Sequence, residues 1–196
     1  MFRRFARNRR AGRIVVSSLL CFGFWQFGQG AYIPAKAWFA QELMHRAWNK
    51  TEDSEQAQPP WPWADTHPVA RLSAKGGDIE LIVLEGGSGR TLAFGPGHLS
   101  ISVLPGERGN SIIAGHRDTH FLFLQHMKRG ETIQVELPDG RRHLYQVTEI
   151  DVVDSRRGSL VLDTDTPTMS LVTCYPFNAL DAGGPMRFVV SAKMIF

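Results

Sequence analysis

Cysteine is almost absent from this chain: among 196 residues only Cys21 and Cys174 carry thiols. So few cysteines exclude a disulfide-stapled framework. Acidic residues are missing from the first 41 positions, while Arg3, Arg4, Arg7, Arg9, Arg10 and Arg13 crowd the start. Without those six arginines, 16 basic residues face 19 acidic ones, a net charge of −3 against +3 for the whole chain. The basic character therefore belongs to the head, and the remainder does not read as a nucleic-acid binder. Internal repeats and low-complexity tracts are also missing, so the length suits one domain with an extension.

Charge of either sign is missing from Ile14 to Ile33. Twenty residues of helix rise roughly 30 Å, the thickness of a bilayer's hydrocarbon core. Arginines before this run and mixed charge after it predict a basic cytoplasmic head (1–13), a transmembrane anchor (14–33) and the bulk of the chain outside. A cleaved signal peptide is the alternative, because Ala35-Lys36-Ala37 has the small-x-small form of a processing site. Either reading exports the domain. Cys21 lies within the apolar run and, if anchored, cannot reach Cys174. An exported domain with one unpartnered thiol points to a reactive site.

Residues 34–60 read as an amphipathic helix and a linker. Trp38, Phe39, Leu43, Ala47 and Trp48 recur near helical spacing over 34–50, and Thr51–Gln58 is polar. Pro59-Pro60-Trp61-Pro62-Trp63 is stiff, with tryptophans suited to capping a core. From Pro68, within a domain spanning 61–196, the pattern turns to short strands, an all-β reading. Strands are expected near 69–74, 79–84, 100–104, 110–115, 131–136, 142–153, 168–173 and 186–195, with Pro138-Asp139-Gly140 as the clearest hairpin turn. Eight short strands suggest a barrel or a sandwich. Thr119–Met127 reads as a short helix that buries Phe121, Leu122 and Leu124, capped by Asp118 or Thr119.

Some motifs fall short of a site. Gly86-Gly87-Ser88-Gly89 lacks the Gly-Lys-Ser/Thr ending of a phosphate loop and reads as a turn. His116 and His120 are spaced as metal ligands on a helix, but a strand-to-helix break falls between them and no third ligand stands out, so neither metal nor cofactor is expected. Asp163 and Asp165 share a turn that offers at most a weak cation site.

Three strand-like runs each present one chemically useful group. Met169–Thr173 ends on Cys174, Ile112–Ala114 leads to His116, and Arg187 sits inside Met186–Val190. A lone cysteine is usually a small buried hydrophobe. A thiol, an imidazole and a guanidinium together are the parts of a cysteine acyl-transfer site. A free thiol with a pKa of about 8.5 is mostly protonated at neutral pH. His116 can take that proton and give it to a leaving amine. Arg187, with the backbone N–H of Tyr175, can stabilise an oxyanion. The plainer readings are a surface histidine at a strand end and an Arg187 that only pairs with Asp181 or Glu149.

The order His116, Thr173-Cys174, Arg187 resembles the sortases, cysteine transpeptidases that cleave LPXTG-type sorting signals. Leu171-Val172-Thr173-Cys174 looks like the nucleophile motif and Ala114-Gly115-His116-Arg117 like the histidine motif. Trp61–Thr66, His116–Phe121 and Thr173–Phe177 look most like the Gram-negative class (class GN). Asn178 stands where that class is expected to carry Asp. The resemblance implies a closed eight-stranded barrel with one or two short helices, preceded by a transmembrane helix. It implies Cys174, His116 and Arg187 as catalytic residues, with Thr173 and Tyr175 contacting substrate. It further implies an exported substrate with a C-terminal LPXTG-like signal and an amine acceptor that the sequence does not identify. The domain would stand on the periplasmic side of the inner membrane, its anchor among the lipids. A cysteine hydrolase on the same barrel and a non-enzymatic tethered binding barrel are the alternatives. Arg117 carries no assigned role.

Overall fold

Met169, Leu171 and Thr173 alternate with Ser170, Val172 and Cys174, and the period of two sends the sets to opposite faces of one strand. Met169 and Leu171 join Ile113, Val190 and Ala192 in the core, all close to fully buried. The structure, a computed structural model, describes residues 38–54, 56–179 and 183–196, with Val16, Leu19, Leu20, Phe22, Gly23 and Gln26. Two compact units divide the chain, Met1–Gln41 and Glu42–Phe196. In the first, the described residues are helical. Most of the expected anchor 14–33 lies outside the described residues. Among those described, no helix is long and apolar enough to cross a membrane.

The second unit is the barrel. Its strands are β1 (Pro68–Ala74), β2 (Ile79–Glu85), β3 (Gly97–His98), β4 (Asn110–Ala114), β5 (Thr132–Glu136), β6 (Arg142–Asp154), β7 (Thr168–Cys174) and β8 (Met186–Met194). They close in the order β1-β2-β3-β4-β7-β8-β6-β5, with β5 returning to β1. Closure removes every free edge that an open sheet would expose. Pairing is antiparallel except for β2 with β3 and β4 with β7.

Seven strands fall where the sequence places them; 100–104 does not. The third strand is only Gly97–His98, and the following residues turn. Ser102 explains the difference. Its N–H donates to the Leu99 carbonyl at 2.8 Å, and its hydroxyl accepts from the Ile112 N–H at 3.0 Å, so a side chain replaces the ladder. Ile101, within that range, is 76% exposed.

The expected helix over 119–127 shrinks to a 3-10 turn, Leu122–His126, which buries Phe123 and Leu124 and leaves Leu122 exposed. Neither Asp118 nor Thr119 caps it; Asp118 accepts from Arg117 instead. The polar stretch expected to be a linker from Thr51 starts as helix: residues 42–54 form α1. Thr51 Oγ1 donates to the Ala47 carbonyl at 2.8 Å and extends the helix by a turn. Met44 and Trp48 on α1 pack against Ile82, Leu84 and Phe94. Trp61 caps this cluster edge-on to Phe94 at 4.9 Å, whereas Trp63 is exposed. Ser88 caps the short helix α2 (Gly89–Leu92) by accepting from the Thr91 N–H, so the glycine-rich stretch is a helix entry.

Candidate active site

β4 and β7 run parallel, so their C-terminal ends emerge at the same rim. Ala114 pairs with Val172, and the Gly115 N–H donates to the Val172 carbonyl at 3.0 Å. Two residues beyond the last pair, His116 stands level with Cys174. On the other side of β7, Cys174 lies directly opposite Arg187 of β8. The Tyr175 N–H donates to the Met186 carbonyl at 3.0 Å. The Cys174–Arg187 pair is therefore of the non-hydrogen-bonded kind, whose side chains approach most closely, about 4.5–5.5 Å between Cβ atoms. The three residues thus form one row at the rim, with Cys174 and Arg187 paired across β7 and β8 and His116 just past the end of β4. Cys174 is a free, half-buried thiol and His116 is exposed.

The row is held from behind. Thr173 faces inward, is 2% exposed, and donates its hydroxyl to the Gly115 carbonyl at 2.6 Å. This hydroxyl ties the strand that carries Cys174 to the segment that carries His116. Gly115 admits no side chain, since a Cβ would stand 2.8 Å from the Phe121 ring. That ring closes the core beneath the histidine, and the Phe121 N–H donates to the His116 carbonyl at 2.9 Å.

The backbone N–H of Tyr175, expected as an oxyanion donor, has a partner within the sheet. Its N–H is spent on Met186 and is not an oxyanion donor. Its ring is half-exposed, stacked on Phe188 at 6.2 Å and edge-on to Phe177 at 6.4 Å. Arg187 Nη1 donates to the Gly184 and Met186 carbonyls at 2.5 and 2.9 Å. Among the described residues it forms no ion pair with Glu149, and Asp181 lies outside them. His120 is half-buried next to the row. Burial pushes its imidazole below the usual histidine range, and the charge of His116 pushes in the same direction.

Sequence reasoning left Arg117 without a role. The structure buries it, with Nη1 donating to the Pro176 carbonyl at 2.8 Å, Nη2 to the Ala179 carbonyl at 2.7 Å and Nε to Asp118 at 3.1 Å. A charged residue beside a histidine in a turn carries no sequence signal for burial. Asn110 is a second residue that the sequence does not single out. It is 4% exposed; its N–H and Nδ2 donate to the Leu162 and Val161 carbonyls at 2.8 Å each, and its Oδ1 accepts from Ser170 at 3.1 Å. It pins the β6–β7 loop against the barrel and raises one wall of a groove of about 740 Å³. Thr168 and Ser170 of β7 and Val189 and Ser191 of β8 line its floor. By the period of two, these residues share the outer face of Cys174 and Arg187, so the groove floor runs along the strands toward the thiol.

A thiol, an imidazole and a guanidinium in one row at a barrel rim, with a groove alongside, make a set that acyl transfer can use. Known proteins share this fold. Sortase D of Bacillus subtilis (strain 168) is 30% identical over 119 residues, which is 60% of this chain and 59% of that protein. The chain thus spans less than two thirds of the curated relative it matches. Sortase A from Corynebacterium diphtheriae superposes with a TM-score of 0.60 at 28% identity, over 68% of this chain and 63% of that one. A Clostridium perfringens Sortase D5 transpeptidase gives 0.61 at 24% identity, over 79% and 95%, a likeness of fold. The sortase domain family matches residues 72–195, from β1 through β8 and with Cys174, His116 and Arg187 all inside the match, and the chain belongs to that family.

Proposed function

We propose that this protein is a cysteine transpeptidase that cleaves an LPXTG-like sorting signal between Thr and Gly and transfers the new acyl group to an amine. The observation that carries this reading is the level row of His116, Cys174 and Arg187 at one barrel rim. The Cys174 sulfur attacks the threonine carbonyl as its proton passes to His116. Arg187 faces the developing oxyanion with its Nη2 and Nε donors, Nη1 serving the Gly184 and Met186 carbonyls. As the C–N bond breaks, His116 returns the proton to the leaving glycine amine, which is too poor a leaving group as an anion. The acyl group is then a thioester on Cys174. An amine attacks it, an amide forms, and the thiol is restored. The extended peptide lies in the groove between the β6–β7 loop and the outer face of β7 and β8.

The subtype and setting rest on the sequence. Trp61–Thr66, His116–Phe121 and Thr173–Phe177 support a Gram-negative class member. The arginine head and the apolar run 14–33 support a single-pass anchor among inner-membrane lipids, the barrel standing on the periplasmic side.

The test is a thiol-reactive peptide mimic of an LPXTG signal, incubated with the full chain and with His116→Ala and Arg187→Ala. A stoichiometric adduct on Cys174, formed far more slowly in both variants, is the expected result. An adduct no greater than that of a scrambled peptide overturns the sorting-signal reading. With a true substrate, an amide product in the presence of amine is expected; free acid alone would mean a hydrolase.

A further inference from the structure

Beyond Gly115 and Thr173, β4 and β7 part. The chain after His116 turns toward the 3-10 turn, and the chain after Cys174 enters the β7–β8 loop. The reacting pair therefore sits just past the end of the ladder that aligns it. On the ladder side, the Gly115 N–H to Val172 and the Thr173 hydroxyl to Gly115 hold the strands together. On the far side the described bridge is Arg117, one residue after His116. Its guanidinium reaches Pro176 and Ala179, two and five residues after Cys174.

We propose that Arg117 is a positioning residue that fixes the spacing of His116 and Cys174 by clasping the loop that follows the nucleophile; this rests on the acyl-transfer reading of that pair. A buried guanidinium is costly unless its donors are met, and here two loop carbonyls and the Asp118 carboxylate meet them. The planar fork matters. Nη1 and Nη2 serve two carbonyls three residues apart, so the loop is held at two points and cannot pivot about one. A lysine keeps the charge but offers one ammonium in place of a fork, and cannot hold both carbonyls in the same geometry. Arg117 touches no reacting atom in this scheme. Its effect on Cys174 passes through His116.

The test uses the full chain and iodoacetamide, which alkylates Cys174 without any sorting signal. Rates at neutral pH are measured for the native chain, His116→Ala, Arg117→Lys and the double variant. Arg117→Lys is expected to slow alkylation by about tenfold or more, toward the rate of His116→Ala. The double variant is expected to be no slower than His116→Ala, because residues that act as a unit are not additive. Effects that simply add would make Arg117 a general structural residue and overturn the proposal, as would a native rate in Arg117→Lys. A His116→Ala rate equal to native would remove the pair itself, and that failure of the acyl-transfer reading is distinguishable because it appears without any change at Arg117. If Arg117→Lys does not fold, Asp118→Ala takes its place; that carboxylate is 68% exposed and orients Nε. It is expected to slow alkylation several-fold only when His116 is present, and a rate unchanged from native overturns the proposal.

Discussion

Cys174 and Arg187 are direct cross-strand neighbours in a non-hydrogen-bonded pair of β7 and β8. Both are on rigid strand, so their separation is set by sheet geometry and not by loop conformation. Arg187→Lys keeps a charge but loses the fork. It is expected to lower kcat for acyl transfer by about 100- to 1,000-fold, the usual cost of one oxyanion donor. Circular dichroism is expected to be unchanged. A kcat close to native would remove Arg187 from the chemistry.

Thr173 is expected to matter for stability. Thr173→Val keeps the shape but leaves the buried Gly115 carbonyl without its donor, at a cost of about 1–3 kcal/mol. Thr173→Ser keeps the hydroxyl and is expected to recover most of that loss. Urea denaturation of the two variants decides it: equal midpoints would mean that the 2.6 Å bond contributes nothing.

Asn110 is expected to act on binding. Asn110→Ala frees the Val161 carbonyl from Nδ2 and removes the acceptor of Ser170, so the β6–β7 wall of the groove loosens. KM for a peptide substrate is expected to rise by roughly tenfold, equivalent to about 1.4 kcal/mol, with kcat close to native. A fall in kcat with KM unchanged would place Asn110 in the chemistry instead of the groove wall.

The hub at Glu136 predicts acid lability. Burial alone would raise this carboxyl, but hydrogen bonds from Arg71 and Arg142 outweigh it and hold the carboxyl below its ordinary range. Folded Glu136 thus binds its proton more weakly than in the unfolded chain. Its stabilisation is fully present above about pH 4.5 and is lost as the pH falls below that value, through the folded pKa. Arg71 also lies 5.4 Å from the Trp48 ring on α1, so the hub ties the helix to the barrel. Glu136→Gln is expected to lose about 1–3 kcal/mol at neutral pH and to show a shallower decline in acid. Parallel urea curves from pH 7 to pH 3 test this; an unchanged slope in acid would assign the acid loss to other carboxylates.

Alternation makes most of the barrel legible in the sequence, because Met169, Leu171, Val190 and Ala192 must face one core. The three candidate groups can be picked out as well, since a thiol, an imidazole and a guanidinium on three apolar runs make a set that acyl transfer uses and a packed core does not. Gly97–His98 is not legible, because two residues carry no period. Arg117 and Asn110 are not either, because a polar residue becomes buried only when distant carbonyls come to meet it. The hydrogen bond from Tyr175 to Met186 is hidden for the same reason: it depends on register between strands, which one strand's pattern does not contain.

The parallel direction of β4 and β7 has a consequence for the order of events as the chain folds. A parallel partner cannot be reached by a tight turn, and 53 residues, including all of β5 and β6, separate Ala114 from Thr168. Arg187 meets Cys174 through a local connection, but His116 meets it only after that long crossover has been laid down. Contacts so distant along the chain are among the last to be rewarded during folding. An incompletely folded molecule therefore carries Cys174 without His116 beside it, and the proposed nucleophile meets its proposed base in the same step that pairs β4 with β7.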